Sequence, residues 1–118
     1  MNGEKFDTLN RETKEIWNRK AVFWDERFGD QGNAFHQAVV APATERLLAV
    51  RPDERILDIA CGNGAFSRRL ADLGAEVVAV DFSETFLERA KARSAAYAGR
   101  IEYRLLDATD EAQLMSLG

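Results

Sequence analysis

The chain has 118 residues, enough for one modest core, and its 46% hydrophobic and 31% charged residues are those of an ordinary globular domain. A net charge of −4 argues against a surface that coats nucleic acid. No apolar run approaches the roughly 20 residues that span a bilayer, and Met1–Asp7 lacks the apolar core of a signal peptide. A single cysteine excludes an internal disulfide and points to a reducing, cytoplasmic compartment; with one histidine far from it in sequence, no metal site is expected.

Residues 1–6 read as a frayed start, and Asp7 or Thr8 as the cap of a helix running to about Phe28. Thr13, Trp17, Ala21, Trp24 and Phe28 recur at steps of three and four, with Ile16 and Phe23 beside them, the pattern of a packed helical face. Gly29-Asp30-Gln31-Gly32-Asn33 breaks the pattern, and Asn33 suits the cap of a second helix from about Ala34 to Val50. Pro42 inside that helix forces a kink or a fresh start.

Arg55 to Gly64 organises the rest. Ile56, Leu57, Ile59 and Ala60 form a short apolar run suited to a buried strand, and Cys61-Gly62-Asn63-Gly64 is a sharp turn in which glycine lets a ligand approach the backbone. Ala65 to Leu73 reads as a helix stopped by Gly74, with Phe66, Leu70 and Leu73 on one face. Ala75 to Val80 is a second strand ending at Asp81. Ser83 caps a helix from Glu84 to about Ala96, Ile101 to Leu106 is a third strand, and Glu111 to Leu117 is a last short helix. Strands alternating with helices predict an α/β fold with a parallel sheet. The pairs Arg68-Arg69 and Lys91-Arg93 read as solvated helix faces.

In such a sheet ligands sit beyond the carboxyl ends of the strands, and each strand delivers an acid there: Asp58, Asp81 and Asp107. Asp58, inside the first apolar run, repels a pyrophosphate and attracts an ammonium or a sulfonium. Asp81 follows the glycine loop by roughly the twenty residues at which a carboxylate meets ribose hydroxyls, and Phe82 offers a ring face. Each acid also has a local reading. Asp58 can be satisfied by the turn's amides, Asp81 can neighbour a helix cap, and Asp107 can cap the last helix.

Asp58-Ile59-Ala60-Cys61-Gly62-Asn63-Gly64 resembles motif I of the class I (Rossmann-like) S-adenosylmethionine-dependent methyltransferases, D-x-G-x-G-x-G, with Ala60 where the first glycine is usual. The resemblance covers roughly Arg55 to Asp110. It implies a strand order 3-2-1 and a truncated form of a seven-stranded sheet, with residues 1–50 as a helical lid or lead-in and 51–118 as the first half of the cofactor domain. By the same resemblance Asp58, Gly62 and Gly64 meet the methionine part of S-adenosyl-L-methionine, Asp81 the ribose, and Asp107 and Ala108 the adenine; Ala60 in the motif and the ring of Phe82 join them as cofactor-binding candidates. Trp24, Phe28 and Phe35 are lid candidates, and His36 is a candidate general base for a small-molecule acceptor. Two alternatives stand beside this reading. One is an NAD(P)-dependent oxidoreductase domain, in which Ser67 takes the place of the third glycine of G-x-G-x-x-G. The other is a non-catalytic Rossmann-like interaction module, self-associating through an uncovered sheet edge.

Overall fold

A computed structural model describes residues 2–118. The elements are α1 (Asn2–Phe28), a π-helical turn (His36–Val40), α2 (Ala41–Leu48), β1 (Arg55–Ile59), α3 (Ala65–Asp72), β2 (Glu76–Asp81), α4 (Glu84–Arg93), a 3₁₀ turn (Ala95–Tyr97), β3 (Ile101–Leu105) and α5 (Glu111–Met115). The three strands form one parallel sheet with β2 in the middle, which is the expected order 3-2-1. Ile56 pairs with Val77, and Val77 with Ile101.

Side chains alternate across a sheet, and the core follows that alternation. Val77 and Ala79 are buried against Leu70 of α3, and Ile56, Ile101 and Tyr103 pack against the same cluster. The intervening residues Leu57 and Ile59 on β1 are 44% and 49% exposed. No helix among the described residues is long and apolar enough to cross a membrane.

The local signals in the sequence account for most boundaries. Asn33 Oδ1 accepts the His36 N–H at 2.8 Å, and Ser83 Oγ accepts the Phe86 N–H at 3.2 Å. Pro42 has no N–H to return to the turn before it, and the chain answers with the π-helical turn, in which the Ala41 N–H reaches the His36 carbonyl. Three expectations change. Helix α1 begins near Asn2 rather than at Asp7 or Thr8, because the Thr8 hydroxyl donates back to the Glu4 carbonyl at 3.0 Å instead of capping. Helix α4 ends at Arg93, not Ala96, and passes into the 3₁₀ turn. The last helix is capped by Asp110, whose Oδ1 accepts the Gln113 N–H at 3.2 Å, and not by Asp107.

Of the two basic pairs Lys91 is exposed as expected, but Arg68, Arg69 and Arg93 do not lie on solvated faces. Arg68 is 3% exposed and donates to the carbonyls of Asn63 and Asp30 and to Ser94 Oγ. Arg69 pairs with Glu45, and Arg93 with Asp25 and Asp30. Each of these three arginines finds its partner on another element, which helix periodicity cannot show.

Candidate functional site

A cavity of about 380 Å³ opens between α1 and the turn after β1. One wall is the turn with Asp58, Ala60, Gly62 and Asn63, and Phe66 and Phe86 continue it. The opposite wall is Trp17, Trp24 and Phe28 of α1, with His36. The aromatic stripe of α1 is therefore a cavity wall rather than a packed face. Trp17 and Trp24 remain 40% and 39% exposed, while Ala21 and the carboxylate of Asp25 are buried beside them. The Trp17 and Phe86 rings are in tilted contact, 6.2 Å apart, where the two walls meet.

The turn takes its shape from left-handed backbone at Ala60 (φ +58°), Gly62 (φ +57°) and Gly64 (φ +81°). A non-glycine residue in that region costs about 1–2 kcal/mol. Ala60→Gly should therefore stabilise the protein by about 0.5–1 kcal/mol after the extra chain entropy of glycine is subtracted, raising the melting temperature by about 3 °C. A thermal melt checks this; an unchanged or lower midpoint would show that the Ala60 side chain contributes packing that outweighs the strain.

The three acids stand at the strand ends in different states. Asp58 is half-buried and accepts the Ser67 hydroxyl at 2.6 Å. Burial pushes its carboxyl above the ordinary range, the Ser67 bond opposes this, and the nearby charge of Asp81 adds to the rise. Asp81 is buried and takes the Gly62 N–H on Oδ2 and the Ser83 N–H on Oδ1, both at 2.9 Å. Asp107 accepts the Thr109 N–H at 2.9 Å and Asn10 Nδ2 at 2.7 Å. Burial pushes its carboxyl up, but the bonds from Thr109 and Asn10 outweigh that and hold it below the usual range. The Cys61 thiol is pushed far up by burial and by the charges of Asp58 and Asp81, so it stays protonated as a small packing group.

Of the residues singled out in the sequence, Asp58, Ala60, Gly62, Trp24, Phe28 and His36 line this cavity. Gly64, Asp81, Phe82, Asp107 and Ala108 do not, and Phe35 lies outside it, 66% exposed. Asn63 was missed. Its Oδ1 accepts the Ala65 N–H at 3.2 Å and its Nδ2 donates to the Gly29 carbonyl at 2.9 Å. The signal was there: an asparagine just before a helix start is cap chemistry.

Residues 56–115, half of the chain, match the family described as methyltransferase domain. A demethylmenaquinone methyltransferase from Clavibacter sepedonicus is 50% identical over 68 residues, 58% of this chain and 27% of that protein. A 23S rRNA (uracil(1939)-C(5))-methyltransferase from Shewanella sp. (strain MR-4) is 46% identical over 61 residues, 52% of this chain and 13% of that protein. Among solved structures, a SAM-dependent methyltransferase from Thiobacillus denitrificans in complex with S-adenosyl-L-homocysteine aligns with a TM-score of 0.52 at 30% identity, over 58% of this chain and 29% of that one. The chain spans about a quarter of the length of the first curated relatives it matches. With its glycine turn, its ordered acids and its parallel sheet, the chain belongs to the methyltransferase-domain family and has the Rossmann-like fold of the class I, S-adenosylmethionine-dependent methyltransferases.

Proposed function

We propose that this chain is the cofactor-binding portion of a methyltransferase that transfers a methyl group from S-adenosylmethionine to a small-molecule acceptor. Residues 1–50 form a helical lead-in over the site and residues 51–118 the first half of the cofactor domain. The observation that carries the reading is the lining of the cavity. Asp58 is its only carboxylate, its walls are aromatic, and no lysine or arginine faces it among the described residues. A half-buried carboxylate that is held by the neutral Ser67 hydroxyl rather than by a cation suits a cationic ligand. A phosphate-bearing acceptor requires cations that this cavity lacks.

In this reading Asp58, with the backbone at Ala60, Gly62 and Gly64, receives the methionine end of the cofactor. Asp81 receives the ribose: a carboxylate offers about four acceptor positions, and only two are taken by Gly62 and Ser83. Phe82, Asp107 and Ala108 meet the adenine. When bound, S-adenosylmethionine supplies an electrophilic methyl on a positively charged sulfur. The chain's own part is to position the reactants and exclude water. His36 sits against Phe28 and Phe66, with ring centroids 5.2 and 6.1 Å away. Burial, and then the charge of Arg69, keep its imidazole below its ordinary value, so at neutral pH it is free to accept a proton from the acceptor.

The dinucleotide alternative is not favoured. Ser67, at the place of the third glycine, is committed to Asp58. The test is a calorimetric titration with S-adenosylhomocysteine across acidic to neutral pH, with NADH as control. The ligand's ammonium favours the ionised carboxylate, so affinity is full above the raised Asp58 value and is lost as pH falls through it. That loss begins at a higher pH than an ordinary carboxylate gives. Asp58→Asn should bind about tenfold more weakly at neutral pH and lose this dependence. A wild-type affinity that ignores pH, or tight binding of NADH alone, would overturn the assignment.

A further inference from the structure

We infer that Asp25 is a positioning residue, which through Asn63 and Arg93 sets the distance between the aromatic wall of α1 and the glycine turn. Its consequence for cofactor binding rests on the function proposed above; its geometry does not. Asp25 is 2% exposed and stands on α1 directly after Trp24 and one turn before Phe28, both of which line the cavity. Its carboxylate accepts Asn63 Nδ2 at 3.0 Å, Arg93 Nε at 2.6 Å and Arg93 Nη2 at 3.2 Å, with Arg89 Nη1 at 3.8 Å. Asn63 lies in the glycine turn, where its own carbonyl accepts Arg68 Nη1 at 2.7 Å. One amide side chain thus joins the two walls of the cavity.

The pairing is charged and buried, so its geometry is narrow. Burial pushes the Asp25 carboxyl up, but the bonds from Arg93 and Asn63 prevail and hold it below the usual range. Asp25 is therefore ionised throughout the neutral range and acts by placing other groups rather than by moving a proton. The Lys14–Glu84 pair, the other ion pair between α1 and α4 toward the start of the helix, is exposed and contributes little.

The experiment follows Trp24 directly. In a Trp17→Phe background Trp24 is the only indole, since the chain has two tryptophans. Acrylamide quenching, thermal melting and S-adenosylhomocysteine affinity are measured for that protein and with Asp25→Asn, Asn63→Ala or Lys14→Ala added, all well below the melting midpoint. Asp25→Asn should leave a folded protein in which quenching of Trp24 rises and affinity falls about tenfold. Asn63→Ala removes the bridge from the other side, leaves the Asp25–Arg93 pair in place, and should give the same rise even if Asp25→Asn does not fold. Lys14→Ala should move neither readout. A lower melting temperature with unchanged quenching in Asp25→Asn or Asn63→Ala would overturn the inference, as would an equal rise in Lys14→Ala. Should S-adenosylhomocysteine bind none of the proteins, the proposed function fails, and the quenching comparison still decides the role of Asp25.

Discussion

Gly64→Ala destabilises the protein by about 3 kcal/mol, whereas Gly62→Ala costs about 1–2 kcal/mol. Both glycines lie in the left-handed region, at φ +81° and +57°, so both substitutions carry backbone strain. They differ in what a side chain would meet. A methyl group on Gly62 has its nearest neighbour, Phe86 Cε1, at 4.0 Å, an ordinary contact. On Gly64 it runs into the Tyr103 hydroxyl, with Arg68 Nη1 at 3.0 Å and Tyr103 Cζ at 3.1 Å. Neither neighbour can step aside cheaply. The Tyr103 hydroxyl is bonded to Ser94 Oγ at 2.7 Å, and Arg68 is bonded on all its nitrogens. Urea denaturation measures the difference as a shift in midpoint at constant slope. Equal shifts for the two variants would mean that strain alone governs this turn. The comparison also separates two uses of glycine in one motif. Gly62 faces the cavity, while Gly64 makes room for the interior.

Arg68→Ala is the second large loss, about 3 kcal/mol. The guanidinium donates from Nε at 3.1 Å and Nη2 at 3.0 Å to the Asp30 carbonyl, and from Nη1 to the Asn63 carbonyl at 2.7 Å and to Ser94 Oγ at 3.1 Å. Removing it leaves the Asn63 carbonyl and Ser94 Oγ without this donor in a buried space, and each orphaned group carries its desolvation cost. Arg68→Lys should recover only a minor part of the loss, because a single ammonium cannot span the turn after α1 and the turn after β1 together. Thermal melts of the two variants check this. A drop of less than about 2 °C for Arg68→Ala would show that the acceptors find other donors.

The sheet was legible because its signals are local. The branched apolar runs at Ile56 and Val77, the glycines of the turn and the serine before Glu84 each act within a few residues, and the observed strands match to within a residue. The order of the acids was legible for the same reason. Helix α1 was not. Its hydrophobic periodicity follows Trp17 and Trp24, but the face that meets the rest of the molecule carries Asn10, Lys14, Asn18 and Asp25, bonded to Asp107, Glu84, Ser83 and Asn63. Those partners lie 38 to 97 positions away in sequence. A polar residue on a helix reads as solvated until its partner is known, which is also why Arg68 and Arg93 were misplaced. Asp107 shows the limit in reverse. Its neighbourhood, Asp-Ala-Thr-Asp, offers two equivalent caps, and only the backbone geometry selects Asp110.

The polar seam under α1 bears on how the molecule opens. Denaturant slope and heat capacity both scale with newly exposed surface, and the heat capacity mainly with its apolar part. Lifting α1 breaks the bonds to Asp107, Ser83 and Asn63 and the Asp25–Arg93 pair, and it uncovers Ala21 and the Trp17–Phe86 and Phe28–His36 contacts, while the separate cluster of Leu70, Val77 and Ala79 stays packed. Amides of α1 should therefore exchange with solvent through a sub-global opening that urea accelerates less than it does global unfolding, whereas those of β2 exchange only when the whole sheet comes apart.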